Sequence, residues 1–193
     1  MLGFPPRRAD RVRDPLGDVR AFVADFETQI GRAHPPFFLG SYLQVLEEAK
    51  KELKFLLVYL HSEDHQDTQR FCATTLADPG VVDYVQQHML FWGCSVGRPE
   101  GYRVSEALRE SAYPFLAVIV LRQNRMVVVG RQEGFISAPD LLVWLEKVIR
   151  EASEAARSFQ SEFFREYLLS GKRFLDTAFM KTKIENLIFF DKN

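Results

Sequence analysis

The feature of this sequence that most constrains its fold is the apolar run from Phe55 to Leu60. Its six residues follow one another without polar alternation, which is typical of a strand covered by helices on both faces. Strands of this kind lie in the middle of an α/β sheet. Two similar runs, Met89–Cys94 and Phe115–Leu121, follow later in the chain. We therefore expect one sheet whose central strands are buried on both sides.

Helical patterns alternate with these apolar runs. Apolar residues recur every three or four positions before Gly31 and again after Ser41, which is a candidate N-cap. Asp78-Pro79 places a capping acid and a first-turn proline at the start of a later helix. The predicted helices are 17–31, 41–53, 64–76, 78–88, 102–110 and 137–148, and the predicted strands are 54–60, 89–94, 115–121 and 126–130. A loop is predicted at 97–101. This order predicts an α/β fold with a mixed central sheet flanked by helices, mainly parallel with an antiparallel hairpin at one edge, and with two extra N-terminal helices.

Composition excludes several classes of protein. The 193 residues are 47% hydrophobic and 26% charged, which is the balance of a packed globular domain. The net charge of −1 provides no general attraction for nucleic acid. No secretory signal pattern follows Met1, and no apolar run approaches the ~18–20 residues that span a bilayer. Two widely spaced cysteines suit a reducing compartment, so we expect a cytoplasmic location.

The predicted order of elements resembles the thioredoxin fold, in which a redox Cys-x-x-Cys motif opens the helix after the first central strand. The matching stretch here is His65-Gln66-Asp67-Thr68, and neither cysteine position carries a cysteine. Disulfide exchange needs a stabilised thiolate and a second, resolving thiol. Cys72 lies about one turn further along, on an apolar helix face, and is interpreted as a core residue. The sequence therefore predicts a vacated redox site and no catalytic residue.

Tyr113-Pro114 resembles the cis-proline that precedes the third central strand of thioredoxins. The resemblance implies a cis bond at Pro114, whereas the residues alone also allow a trans proline that starts a strand. We considered His61, Asp64, His65 and Asp67 as metal ligands, but a strand-to-helix turn between the histidines breaks the spacing that a helical site needs. Helix capping explains these residues better. We expect neither a metal nor a cofactor.

Several short sequence segments give a more specific resemblance, to the UAS domain of the FAS-associated factors, a family of UBX-domain proteins. The resemblance extends roughly from Asp14 to Glu151. The segments that carry it are DPLGD (14–18), GRAHP (31–35), FLLVYLH (55–61), DHQD (64–67), MLFW (89–92), PEGYRVS (99–105), ALRE (107–110) and YPFLA (113–117). The resemblance rests on several segments that follow one another in the order of the family.

The resemblance implies a non-catalytic adaptor that acts in ubiquitin-dependent protein degradation, including ERAD, at the cytosolic face of the endoplasmic reticulum and lipid droplets. It further implies that the UAS domain senses long-chain unsaturated fatty acids and self-associates. Family members reach ubiquitylated clients and the valosin-containing AAA ATPase through a ubiquitin-associated domain and a UBX domain. Neither of these domains is visible in this sequence, so we expect these partners only through such regions.

We divide the chain into a flexible basic arm at 1–15, the UAS domain at 16–157 and an aromatic-rich helical tail at 158–193. The arm is either solvated or in contact with acidic lipid head groups. The tail is a helix packed on the domain, a membrane-surface helix or a divergent end. The family pattern leads us to expect a charged coiled coil there, and an aromatic tail departs from it.

A fatty acid needs an apolar groove and a cation for its carboxylate. The candidate cations are Lys50, Lys51, Arg103 and Arg109. Two other functions remain open from the residues. One is a thioredoxin-fold oxidoreductase that uses a single thiol such as Cys72, and the other is an inert scaffold that orients flanking domains. Pairs such as Cys72 with His88 or Cys94 with His61 carry no specific catalytic signal.

Overall fold

The computed structural model of the protein describes residues 14–169, with side chains through residue 158. Helix α1 (Pro15–Gln29) begins two residues earlier than predicted, because Asp14 caps it by accepting a hydrogen bond from the Gly17 N–H. Proline suits the first turn of a helix, where its missing N–H is not needed. Pro15 therefore belongs to the domain and not to the predicted arm at 1–15.

Four strands form one sheet in the order β2-β1-β3-β4. The strands are β1 (Phe55–His61), β2 (Met89–Ser95), β3 (Phe115–Arg122) and β4 (Arg125–Glu133). β1 pairs in parallel with β2 and antiparallel with β3, and β3 and β4 form an antiparallel hairpin. The predicted mixed sheet is confirmed, but the expectation that most of its pairings are parallel is wrong, since one of the three pairings is parallel. A buried apolar run looks the same in either kind of pair, so the sequence does not show the direction of a strand.

Helices cover both faces of this sheet. They are α2 (Tyr42–Glu52), α3 (Gln66–Phe71), α4 (Pro79–His88), α5 (Pro99–Leu108) and α6 (Ala138–Leu169). Successive strand residues point to opposite faces, and Trp92 of β2 contacts Tyr42 of α2. Its neighbour Phe91 stacks with Tyr59, which also contacts Phe71 of α3. All seven residues of β1 are buried, as the apolar run predicts.

Two helix boundaries differ from the prediction. α3 passes into one π-helical turn at Cys72–Leu76, which a helical apolar pattern does not distinguish from a regular turn. α5 begins at Pro99 rather than at Tyr102, so residues 99–101 of the predicted loop belong to the helix. Gly101 suggested a loop, but here it allows close packing, because a Cβ at this position would overlap the carbonyl group of Ser95.

Helix α6 has 32 residues and crosses the predicted boundary at 157/158 without a break. Its buried residues are Ala138, Leu141, Leu145, Val148 and Ala152. Among the residues that the structure describes, no helix is long and apolar enough to cross a membrane. The arm at 1–13 and residues 170–193 of the predicted tail lie outside the described residues, so the interpretations of both stay predictions.

Candidate functional site

The four residues of the predicted vacated redox site lie together at the start of α3. His65 is the N-cap, and its Nδ1 accepts a hydrogen bond of 3.3 Å from the Asp67 N–H. Gln66 and Asp67 form the first turn. The Thr68 side chain is buried, and its hydroxyl has no hydrogen-bond partner within the described part of the chain. A capping imidazole and a buried hydroxyl therefore occupy the two positions at which thioredoxins carry thiols.

The segment around Pro114 lies beside this helix start. The Tyr113–Pro114 bond is cis, the isomer that the resemblance implies, and Pro114 is buried. The rings of Tyr113 and His65 are 6.4 Å apart. The Tyr113 hydroxyl donates a hydrogen bond to Glu110 Oε1, and burial together with this carboxylate raises the pKa of Tyr113. The cis Tyr113–Pro114 segment thus lies near the start of α3, as the resemblance to a thioredoxin-like fold implies.

A chain of three buried polar side chains lies beneath the start of α3. The Tyr59 hydroxyl is 2.8 Å from His61 Nδ1 and 3.3 Å from the Cys72 sulfur. Burial raises the pKa of Cys72 to about 11 and lowers the pKa of His61 to about 4. Burial also raises the pKa of Tyr59. All three groups are therefore neutral near pH 7, and no thiolate is available for nucleophilic attack.

Other reactive centres are also disfavoured. Burial raises the pKa of Cys94 to about 12, so this thiol is neutral as well. Within residues 14–158, no three His, Cys, Asp or Glu side chains form a group that could hold a metal ion. The nitrogen atoms of His61 and His65 are engaged separately, one with Tyr59 and the other with the α3 backbone. The high pKa values of Cys72 and Cys94 thus disfavour thiolate chemistry near the start of α3.

The four predicted carboxylate-binding cations lie on two different helices. Lys50 and Lys51 lie near the end of α2, and Lys51 forms an exposed ion pair of 2.9 Å with Glu48. Arg103 binds both carboxylate oxygens of Glu100 through its Nη2 atom at 2.7 and 2.9 Å. Arg109 is the C-cap of α5. Within the described part of the chain these cations share no common partner, so their role in binding stays a prediction.

Glu100 is an important residue that the sequence reasoning missed. It is fully buried and accepts a hydrogen bond of 2.9 Å from the Tyr42 N–H, in addition to its pair with Arg103. Its own N–H donates to Asp18 Oδ2 at 2.9 Å. One carboxyl residue therefore joins α1, α2 and α5. A proline followed by an acid in the first turn is a helix-start signal that could have placed Glu100 on α5.

Comparisons with known structures agree with this geometry. A thioredoxin from Thermus thermophilus is 26% identical with a TM-score of 0.52, over 60% of this chain and 84% of that chain. A putative disulphide-isomerase from Bacteroides thetaiotaomicron is 25% identical with a TM-score of 0.51, over 60% of this chain and 93% of that chain. The fold and the cis bond at Pro114 define a thioredoxin-like α/β domain.

Comparisons with known sequences identify the family. The family model described as Fas-associated factor 1 matches residues 22–103. FAS-associated factor 2 of Homo sapiens is 56% identical over 137 residues, or 71% of this chain. Plant UBX domain-containing protein 10 of Arabidopsis thaliana is 32% identical over 165 residues, or 79% of this chain. The matched domain therefore belongs to the FAS-associated factor family. The matched region makes up 31% of the human relative and 34% of the plant relative, so the chain spans about a third of their length.

Proposed function

We propose that this chain is a non-catalytic adaptor domain that senses long-chain unsaturated fatty acids and self-associates. It would serve an ER and lipid-droplet factor of ubiquitin-dependent degradation, on the cytosolic side. The observation that carries the proposal is that His65 and Thr68 occupy the two positions at which thioredoxins carry thiols. The thiols that the described chain does have, Cys72 and Cys94, are kept neutral by burial. In a domain of the FAS-associated factor family, this loss of thiol chemistry favours binding as the retained activity.

An exposed apolar surface beside charged groups supports the lipid part of the proposal. Leu39, Leu43 and Tyr102 are 55%, 59% and 49% exposed. Each lies within three residues in sequence of the hydrogen bond between Tyr42 and Glu100, which joins α2 to α5. Exposed apolar side chains that cluster in this way are typical of surfaces that bind lipids or proteins. The surface is thus available for an acyl chain or for a second copy of the domain.

The test is a titration of the purified chain with oleate, followed by intrinsic fluorescence and by light scattering. We expect saturable binding and an increase in particle size, and a much weaker response to the saturated C18 fatty acid. The comparison with the saturated acid separates recognition of the double bond from general detergent action. Absence of both binding and assembly with oleate would contradict the lipid part of the proposal.

A single-thiol oxidoreductase is the rival function, because the structural neighbours include a thioredoxin and a putative disulphide-isomerase. A thiol whose pKa is about 11 is almost entirely protonated at pH 7, which disfavours this function. An insulin-reduction assay of the wild type and of Cys72→Ser decides between the two. Activity in the wild type that is lost in the variant would overturn the non-catalytic proposal.

The role in degradation is tested with partners. We propose that ubiquitylated clients and the valosin-containing AAA ATPase bind other regions of the relatives, so the chain alone should retain neither in a pull-down with purified proteins. Retention of the ATPase by this chain would show that the domain recruits it directly. The scaffold alternative is tested by replacing this domain in a full-length relative with an inert domain. Unchanged client turnover and an unchanged fatty-acid response would favour a passive spacer.

A further inference from the structure

Two leucines beside the start of α2 are more than half exposed. Leu39 is 55% exposed and Leu43 is 59% exposed, and they lie on either side of Ser41, the N-cap of the helix. We call these two leucines, together with the half-buried Phe38 and Tyr42 that adjoin them in sequence, the α2 patch. Exposed apolar side chains that lie together are typical of a surface that receives a partner.

The start of α1 lies close to the α2 patch. Asp18, in the first turn of α1, accepts a hydrogen bond of 2.9 Å from the Glu100 N–H. The Glu100 carboxylate in turn accepts a hydrogen bond of 2.9 Å from the Tyr42 N–H, within the patch. The arm at 1–13, which lies outside the described residues, joins the domain at Asp14. The arm is therefore attached one helical turn away from residues that hold the patch in place.

The length and the apolar residues of the arm suit this surface. Its sequence, MLGFPPRRADRVR, places Phe4, Pro5 and Pro6 together. Prolines restrict the unbound chain, so that ordering such a segment costs less free energy. An extended chain spans about 3.3 Å per residue, so the segment from Phe4 to Asp14 reaches about 30 Å. Phe4 can therefore reach Leu43 without strain.

Charge favours the same contact. The arm carries four arginines and one aspartate, which give it a net charge of +3. Glu47 lies one helical turn after Leu43, is exposed and forms no ion pair within the described part of the chain. On the adjoining helix α5, Arg103 is already paired with the buried Glu100. A second copy that used the same patch would bring its own Glu47 to this surface, whereas the arginines of the arm bring the opposite charge.

We propose that the arm at 1–13 binds the α2 patch of its own chain, with Phe4 on Leu39 and Leu43 and its arginines beside Glu47. A tethered segment has an effective concentration on the order of millimolar, so weak contacts suffice for this binding. The arm is then a reversible cover, and any ligand or second copy that uses the α2 patch must displace it first. This inference concerns the chain alone and does not depend on which ligand the domain binds.

Paramagnetic relaxation measured by NMR tests the contact. Both native cysteines are buried, so a nitroxide label attaches selectively to the cysteine introduced by Gly3→Cys. The label should weaken the amide signals of Leu39 and Leu43 at least about twofold more than that of Val143, an exposed apolar residue on α6. In the labelled chain, Leu43→Ser should restore the Leu39 signal, because it removes an apolar contact of Phe4. Glu47→Gln should restore it to a smaller extent.

Val143→Ser is the matched control, because it also places a hydroxyl at an exposed apolar position, and it should leave the Leu39 signal weakened. An unbound arm would weaken signals around the start of α1 whether or not Leu43 is replaced, and that result would overturn the proposal. Weakened Leu39 signals in isotope-enriched, unlabelled chains mixed with labelled ones would show contact between copies and would overturn it as well. These measurements contain no fatty acid, so their failure leaves the proposed function intact, and failure of oleate binding leaves this inference intact.

Discussion

Two regions of the molecule meet at His61 and differ in what their polar groups can do. In the α3 region, Tyr59, Thr68 and Cys72 are buried, and burial keeps the Tyr59 hydroxyl and the Cys72 thiol neutral. Between α1 and the ends of β1 and β2, Asp25 and Arg98 form a partly exposed ion pair. Burial favours the neutral form of an acid, so the region with thioredoxin-like geometry loses reactivity. An ion pair remains where the side chains stay partly solvated.

The largest expected effect concerns the close packing of α5 on β2. Gly101→Ala should lower the free energy of unfolding by about 3 kcal/mol or more, because the new Cβ would overlap the Ser95 backbone and push α5 away from β2. Urea unfolding followed by circular dichroism measures this change. Glu106→Ala, at an exposed position of the same helix, should change it by less than about 0.5 kcal/mol. Equal stability of Gly101→Ala and wild type would mean that α5 does not need this close approach.

His61 links the two regions and should make stability depend on pH. The unfolded chain binds a proton on this ring below its ordinary pKa of 6.5, whereas the folded chain does so only near pH 4. Between these values the unfolded state binds more protons, so the free energy of unfolding falls as pH decreases. The wild type should lose about 3 kcal/mol more than His61→Phe between pH 6.5 and pH 4.

This pH effect is measured by urea unfolding at several pH values. Gln86→Ala, at an exposed position of α4, is the control and should keep the wild-type slope, because it removes no titratable group. Phenylalanine suits position 61 because the imidazole already lies between Phe22 and Phe26. Parallel plots of unfolding free energy against pH for the wild type and His61→Phe would mean that folding does not lower the pKa of this ring. The contrast between the two regions would then weaken.

The sequence predicted the α3 region much better than the ion pair between Asp25 and Arg98. The apolar run before His61 and the acids after it locate the start of α3. The sequence alone also shows that His65 and Thr68 are not cysteines. Asp25 and Arg98 lie 73 residues apart in sequence and carry no pattern of their own. Gly101 misled the prediction, because a glycine required for close packing looks the same as a glycine in a loop. Long-range pairs and close backbone contacts are properties of the folded chain and leave no local periodicity.

Two buried threonines, Thr68 in α3 and Thr75 in the π-helical turn that follows it, test whether the hydroxyl groups of the α3 region stabilise the fold. Thr68→Val should raise the free energy of unfolding by about 1 kcal/mol, because a methyl group replaces a buried hydroxyl without a described partner. Thr75→Val should lower it by about 1–2 kcal/mol, because the Thr75 hydroxyl donates to the Ile136 carbonyl at 2.7 Å. Chemical denaturation of both variants gives the signs. Destabilisation by Thr68→Val would indicate that this hydroxyl has a partner after all, such as a water molecule.

The smallest expected effect is on the partly exposed ion pair of Asp25 and Arg98. Arg98→Gln should lower the free energy of unfolding by less than about 1 kcal/mol, because its ion pair with Asp25 is partly solvated and exposed pairs contribute little. The shift should shrink further in 0.5 M NaCl, since salt screens exposed charges. Thermal melts at low and high salt provide the measurement. A loss of several kcal/mol would mean that Arg98 is structural and that the contrast with the α3 region is wrong. A small shift instead means that the solvated pair contributes little to stability, in contrast to the buried Thr75 hydrogen bond of the α3 region.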